Sequence, residues 1–231
     1  MTRAKRWRVH VGDETTSALV EASGDVGGVG GVGGGVFVCA HGAGGSMEDS
    51  SMVALSEALR ARHVDVVRFN FLYSEKGMKR PDRMPKVIDC YTAVVERVRK
   101  ELAPRVVVLG GRSMGGRAAS MMAAAGFACD GLVLYAYPLH PAGEPEKLRD
   151  AHLPAIPVPT LCFSGTRDDL CTPSLMKRAL KTVRAPWQQV WLEGADHSFH
   201  VLKSSGTTDA VVLASVADAT RDFLVSRGVP Q

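Results

Sequence analysis

The chain has 231 residues, of which 45% are hydrophobic and 23% are charged. These fractions are ordinary for a globular protein and exclude wholesale disorder, a collagen-like fibre and a protein with many membrane spans. Lysine and arginine outnumber aspartate and glutamate by 28 to 24, and the basic residues are spread along the chain. Nucleic-acid-binding proteins usually concentrate such residues in one patch, so we expect no nucleic acid as a partner.

Five cysteines occur without any pair at C-x-x-C spacing, at Cys39, Cys90, Cys129, Cys162 and Cys171. This odd number favours neither a disulfide framework nor a structural zinc site. The first ten residues lack the apolar stretch and cleavage site of a signal peptide. No run approaches the roughly 18 apolar residues that a spanning helix needs. We therefore expect a cytoplasmic protein with no metal, no cofactor and no membrane partner.

Short β-rich runs alternate with helical patterns along the chain, which predicts an α/β sheet. No internal repeat or long polar linker divides the sequence, so residues 1–231 are predicted to form one domain. In chain order we predict strands over residues 6–11, 17–22 and 36–40, a helix that begins near Ser46, a strand over 64–71, a helix over 85–102, strands over 106–109, 132–135 and 160–163, a helix over 174–183, a strand over 190–192 and a helix over 209–226.

Three further local patterns also lead to predictions. Ser46, with Asp49 three residues later, predicts a capping box at the start of the first helix. Residues 72–84 and 139–159 break the alternation, and both follow predicted strands, where α/β proteins place binding loops. Residues 28–33 match G-x-G-x-x-G but precede a strand instead of opening a helix. We interpret them as a flexible linker and expect no dinucleotide there.

The pattern richest in chemical information is G-x-S-x-G at residues 111–115, centred on Ser113. A predicted core strand runs directly into it, and a helical segment rich in small residues follows. This strand–turn–helix context exposes the serine hydroxyl at the edge of a sheet. The amides at the start of the following helix then point towards the reacting atom.

A serine needs a general base and a group that orients the base, and after this motif the expected order is serine, acid, histidine. Asp168 follows one predicted strand with G-x-x-D spacing, and His197 follows the next with G-x-x-H spacing. Asp169 and His200 are the alternatives. Because parallel strands end at one edge of a sheet, we predict a catalytic triad of Ser113, His197 and Asp168.

Backbone amides are the expected ligands of the oxyanion that forms during acyl transfer. One donor is predicted to be Met114, directly after the serine. The other is Ala43, in the sequence His-Gly-Ala-Gly-Gly after an early strand. We interpret His41 in this sequence as a structural hydrogen-bonding residue and not as a base.

Contacts to the substrate are less clearly marked in the sequence. Arg112 adjoins the serine, and residues 76–83 contain four basic side chains. They either bind an anionic ester, or the loop is solvated and Arg112 supports the turn. Tyr73, Met114, His140 and Phe199 could line an acyl pocket or belong to the core.

These motifs together resemble the α/β-hydrolase superfamily, and nearly the whole chain follows its order of elements. Residues 41–45, 110–117, 137–141 and 163–168 are most similar to the small dienelactone-hydrolase-like branch, near bacterial relatives of testis-expressed and histone-acetyltransferase-complex hydrolase-like proteins. The resemblance implies a mostly parallel eight-stranded sheet with an antiparallel second strand, helices on both faces and no large lid. Dienelactone hydrolases often carry a cysteine where this chain has Ser113.

We therefore expect a serine hydrolase that cleaves small-molecule, short-acyl carboxylic esters through an acyl-enzyme intermediate. Two alternatives use the same residues differently. One is a hydrolase-like scaffold or binding protein in which the triad is idle, and the other is a thioesterase or acyl transferase. Exposed apolar residues on the last helix or on an edge strand would support a homodimer.

Overall fold

Eight strands build the framework of the protein and pair into one sheet. The computed structural model describes residues 4–23 and 34–229. The strands are β1 (Ala4–Val11), β2 (Glu14–Glu21), β3 (Gly35–Ala40), β4 (Asp65–Phe69), β5 (Val106–Arg112), β6 (Gly131–Tyr135), β7 (Thr160–Gly165) and β8 (Trp187–Leu192). Their order is β1-β2-β4-β3-β5-β6-β7-β8. Strand β2 is antiparallel to β1 and β4, and the other neighbours are parallel. The expected eight-stranded sheet is confirmed.

Helices cover both faces of this sheet. They are α1 (Ser50–Arg60), α2 (Leu72–Glu75), α3 (Met84–Leu102), α4 (Met114–Ala124), α5 (Pro173–Ala179) and α6 (Asp209–Ser226). Alternate residues of β5 reveal the two layers. Val107 and Leu109 pack with buried residues of α3 and α4, whereas Val106 and Val108 pack with those of α1 and α6. Such alternation is what a strand buried on both faces requires.

Strand β5 is longer than predicted, and its extension carries the chain to the functional site. It continues through two glycines to Arg112 instead of ending at residue 109. Gly111 has φ +146°, and a Cβ there would lie 2.2 Å from the carbonyl oxygen of Ala40. Glycine is therefore what lets β5 and β3 stay paired up to the turn.

The first helix begins later than predicted. Helix α1 starts at Ser50 with Asp49 as its N-cap residue, so Ser46 is not the cap. The Ser46 amide and hydroxyl donate to the Asp49 carboxylate at 2.9 and 3.0 Å. The two residues close a turn ahead of the helix, and the predicted capping box is wrong.

The remaining bounds show smaller differences. Helix α6 spans its predicted residues, whereas α5 ends at Ala179 and a 3₁₀ turn, Leu180–Thr182, follows it. Segment 72–84 begins with α2 and is therefore not irregular throughout. The glycine motif at residues 28–33 lies outside the described residues. Among the helices of the described ranges, none combines the length and apolar composition needed to cross a membrane.

Candidate active site

Ser113 occupies the sharp turn between β5 and α4. Its backbone has φ 50° and ψ −113°, a conformation that costs a non-glycine residue free energy. Two backbone hydrogen bonds hold this conformation. The Ser113 amide donates to the Tyr135 carbonyl at 2.8 Å, and the Ser113 carbonyl accepts from the Arg117 amide at 3.0 Å. A Cβ on Gly115 would lie 2.5 Å from the Ala40 oxygen. The turn predicted from the G-x-S-x-G pattern is therefore present.

The structure brings Ser113, His197 and Asp168 into one hydrogen-bonded chain. The Nε2 atom of His197 lies 3.0 Å from Ser113 Oγ. The Nδ1 atom of the same ring lies 3.0 and 2.9 Å from the two carboxylate oxygens of Asp168. The Asp168 side chain is 0% exposed and that of His197 is 27% exposed. A proton on Nδ1 thus faces the carboxylate, and the lone pair on Nε2 faces the hydroxyl.

Hydrogen bonds between the two loops fix the distance between acid and histidine. The Arg167 amide donates to the Ala195 carbonyl at 2.9 Å, and the Gly194 amide donates to the Thr166 hydroxyl at 2.8 Å. A further bond joins the Leu170 amide to Asp168 Oδ1 at 2.8 Å. The carboxylate is therefore held on two sides before any substrate is present.

Among the described residues, the two alternative side chains form no hydrogen bond with Ser113, His197 or Asp168. Asp169 is exposed. The His200 ring pairs with Asp209 at 2.8 Å, and its side chain is 60% exposed. The geometry therefore favours Asp168 and His197 over their neighbours.

The loop after β3 lies against the serine. An added Cβ on Gly42 would be 3.6 Å from Ser113 Cβ. The Gly42 carbonyl accepts from the His41 ring at 2.8 Å and from the Tyr73 hydroxyl at 3.2 Å. The same hydroxyl accepts from the Gly44 amide at 3.1 Å. Because a trans peptide is planar, fixing the Gly42 carbonyl also fixes the direction of the Ala43 N–H.

The two predicted oxyanion donors carry no competing bond. Within the part of the chain that the structure describes, the Ala43 and Met114 amides donate to no other group. Met114 is the first residue of α4, where helix amides are normally unpaired. Met114 directly follows Ser113, and Ala43 directly follows Gly42, which lies against Ser113.

Tyr73 and His140 are both buried, so the structure favours a core position over a substrate contact for each. Tyr73 is fully buried, and its hydroxyl holds the Gly42–Gly44 turn. His140 is 3% exposed. Its ring bonds the Pro141 carbonyl at 2.9 Å and the Thr172 hydroxyl at 2.9 Å, next to the Asp168 loop. Both side chains support loops that carry site residues, a role that depends on neighbours distant in sequence.

Arg112 contacts the histidine loop, and not the serine turn that the second of its two interpretations names. Its Nη2 donates to the His197 carbonyl at 2.8 Å, and its guanidinium lies 5.6 Å from the Phe199 ring centre.

Two of the basic side chains in residues 76–83 have partners in the structure. Lys76 pairs with Glu14, and Lys79 donates to the Gly44 carbonyl at 3.4 Å. Met114 packs partly against the core. Arg112 and Phe199 also line a cavity that no sequence pattern marks.

His41 makes the stability of the protein sensitive to acid. Burial lowers the pKa of its ring to about 4, although the Gly42 carbonyl and Asp49 act in the opposite direction. Between pH 6.5 and 4 the unfolded chain therefore binds more protons here than the folded one. Stability present above pH 6.5 is lost as the pH falls, with a maximum slope of about 1.4 kcal/mol per pH unit. Protonation of Nε2 would also break its bond from the Phe71 amide.

Urea unfolding of wild type and His41→Asn at several pH values between 7 and 4 measures this effect. We expect the free-energy difference between the two proteins to shrink as the pH falls. A difference that is constant over this range would contradict the prediction.

Comparison with known proteins identifies a family model and several solved structures that are similar to this chain. A family model described as an alpha/beta hydrolase domain matches residues 34–225. A dienelactone hydrolase from Anabaena variabilis has a TM-score of 0.76 and 19% identity, covering 97% of this chain and 98% of that one. A lidless α/β serine hydrolase from Xanthomonas campestris has a TM-score of 0.72 and 21% identity, covering 99% and 96%. Est1E from Butyrivibrio proteoclasticus has a TM-score of 0.73 and 15% identity, covering 96% and 98%. At such identities the likeness shows a shared fold.

Proposed function

Because the chain belongs to the alpha/beta hydrolase family, we propose that it is a serine hydrolase that cleaves carboxylic esters. The observation that carries the proposal is the hydrogen-bonded chain from Ser113 Oγ through His197 to Asp168. A buried carboxylate, an oriented imidazole and a strained, accessible serine are the parts that nucleophilic acyl transfer needs.

In the first half of the reaction, Ser113 Oγ attacks the ester carbonyl carbon while His197 Nε2 takes the hydroxyl proton. The carbonyl π electrons move to oxygen and form the oxyanion. When this tetrahedral intermediate collapses, the bond to the alcohol oxygen breaks, and His197 returns the proton to the leaving alcohol. In the second half, water attacks the acyl-enzyme with the same histidine as base. The acid is released and Ser113 is regenerated.

The oxyanion is bound in this proposal by the amides of Met114 and Ala43. Their unpaired N–H groups support the assignment. Hydrogen bonds from His41 and Tyr73 to the Gly42 carbonyl polarise the peptide that contains the Ala43 N–H, which makes it a stronger donor. Each such donor contributes about 3–4 kcal/mol to catalysis in comparable sites.

We further propose a short acyl group, one domain and a cytoplasmic location. The described chain carries no long lid segment over Ser113 that would enclose an extended acyl chain. One sheet contains all eight strands, which supports a single domain. The cysteines are free and four of the five are buried, which suits a reducing compartment. A homodimer would form through α6, where Val211 is 59% exposed.

Covalent labelling with a fluorophosphonate tests the proposal. We expect one adduct on the wild-type protein by intact mass, none on Ser113→Ala, and one on Ser204→Ala, a control serine on the surface. The reagent reacts with an activated serine, and so it reports the function of the triad without knowledge of the substrate. A folded wild-type protein that takes no adduct would favour an idle, scaffold-like site. An adduct that persists in Ser113→Ala would overturn the choice of nucleophile.

A further inference from the structure

A cavity of about 340 Å³ lies between the first turns of α1 and α6. Most of its wall is apolar, formed by Met52, Ala54, Leu55, Tyr135, Leu213 and Val216. Arg112, Asp209 and three serines supply its polar lining. Volumes of this order are typical of small-molecule sites, in which a few polar groups orient a mainly apolar ligand.

The cavity is lined by residues next in sequence to the nucleophile and the base. Arg112 lines it and directly precedes Ser113, while Ser198 and Phe199 line it and directly follow His197. The 2.8 Å bond from Arg112 to the His197 carbonyl joins these two walls. Ser113 and His197 themselves are not among its lining residues.

The chemistry decides which half of the ester lies there. The leaving alcohol oxygen must come within hydrogen-bond reach of His197 Nε2 to receive its proton. The alcohol half is thus on the histidine side of the carbonyl carbon, where Ser198 and Phe199 form the cavity wall. We propose that this cavity binds the alcohol half of the substrate, and that this alcohol is a ring-sized apolar group bearing a carboxylate for Arg112. This inference rests on the proposed esterase function.

The volume sets the size of the group. An apolar cavity of about 150 Å³ is enough to bind benzene. The cavity here is roughly twice as large, so it accepts a six-membered ring with a substituent and is poorly filled by an ethyl group. The rings of Tyr135 and Phe199 in its lining provide flat apolar surface for such a group.

Arg112 supplies the specific polar contact. A guanidinium has five N–H donors, and among the described residues only the His197 carbonyl accepts one of them. Asp209 at the rim is already held by the His200 ring at 2.8 Å and by the Val201 amide at 2.9 Å. A ligand carboxylate would therefore meet free guanidinium donors, although Asp196, Asp168 and Asp49 already act on the charge of this arginine.

Matched acetate esters test the occupant of the cavity. Benzyl and ethyl acetate share the acyl group and have leaving alkoxides of similar basicity. We expect the ratio of kcat/KM for benzyl over ethyl acetate to fall at least about tenfold in Ala54→Phe, which fills the cavity. The matched control is Ala58→Phe, one turn later on α1 and outside the cavity lining, which should keep the wild-type ratio.

A second ratio tests Arg112. At low ionic strength we expect wild type to prefer 4-carboxybenzyl acetate over benzyl acetate by about tenfold. Arg112→Met should remove this preference while slowing both esters, because it also loses the bond to the His197 carbonyl. Equal rates for the two esters in wild type would overturn the role of the carboxylate.

Calorimetric binding of 4-(hydroxymethyl)benzoate provides a readout independent of turnover. We expect saturable binding to wild type and Ala58→Phe, and loss of binding in Ala54→Phe. No binding to folded wild type would overturn the inference.

The esterase proposal and the cavity proposal are contradicted by different results. If Ser113 takes the fluorophosphonate but Ala54→Phe slows both acetates alike, only the cavity assignment falls. If Ser113 forms no fluorophosphonate adduct and neither ester is hydrolysed, the proposed esterase function is wrong, and so is the cavity assignment that rests on it.

Discussion

Replacing Asp168 with asparagine is expected to lower kcat by about 10⁴-fold while the fold stays intact. Both carboxylate oxygens lie within 3.0 Å of His197 Nδ1, and only a carboxylate accepts from that atom with either oxygen. An asparagine amide can instead donate to Nδ1, which stabilises the tautomer with its proton on Nε2. That proton would point at Ser113 Oγ, and the ring could not accept the hydroxyl proton.

The neighbouring residue offers a matched control. Asp169→Asn removes the same charge one residue later, from an exposed side chain, and should change kcat less than twofold. Steady-state kinetics on an acetate ester, with a thermal melt of each variant, measures the effect. The fluorophosphonate reaction should slow in parallel with kcat, because both need the histidine as base. If Asp168→Asn keeps a tenth of the wild-type kcat, Asp168 does not orient the base.

Features set by local sequence could be predicted, and the G-x-S-x-G turn is the clearest of them. Its glycines, the strand before it and the small residues after it lie within a few positions of Ser113. Asp168 and His197 follow the same logic, because each comes directly after a strand and parallel strands end at one edge. The order of elements was enough to place both there, and the structure brings the three side chains within hydrogen-bonding distance.

Features set by distant neighbours could not be predicted in this way. The sequence predicts Tyr73 only as an apolar residue of a loop. Its hydroxyl nevertheless hydrogen-bonds to the turn at Gly42 and Gly44, about thirty positions earlier. The sequence predicts that β5 ends where its glycines begin, because no local pattern shows how closely β3 lies to it. The cavity between α1 and α6 arises from two helices that are far apart in the chain, and no local pattern signals it.

The buried ion pair between Glu21 and Arg68 illustrates the same limit and carries the largest expected effect on stability. The Arg68 Nε donates to Glu21 Oε2 at 2.7 Å, and the two side chains are 3% and 6% exposed. Burial alone would raise the pKa of Glu21, but hydrogen bonds from Arg68 and from the Ser56 hydroxyl outweigh it and lower the pKa. The carboxylate is therefore charged at neutral pH, and it joins β2, β4 and α1.

Glu21→Ala should reduce the free energy of unfolding by about 3–5 kcal/mol, because it leaves the Arg68 charge buried without a carboxylate. Urea denaturation at pH 7 measures the loss. In the double variant Glu21→Leu/Arg68→Met part of the stability should return, since apolar side chains of similar volume replace both charges, while the Ser56 hydroxyl and Arg60 lose their bonds to Glu21.

An ion pair with an exposed carboxylate serves as the comparison. Arg62, in the turn that follows α1, pairs with Asp218 of α6 at 2.6 Å, and the Asp218 side chain is 54% exposed. Asp218→Ala should therefore cost less than about 1 kcal/mol, because an exposed carboxylate contributes little and Arg62 keeps its bonds to the Ala58 and Ala214 carbonyls. Equal losses for Glu21→Ala and Asp218→Ala would mean that the first effect does not come from an uncompensated buried charge. Both pairs consist of an arginine and a carboxylate, and they differ in how far the carboxylate is buried.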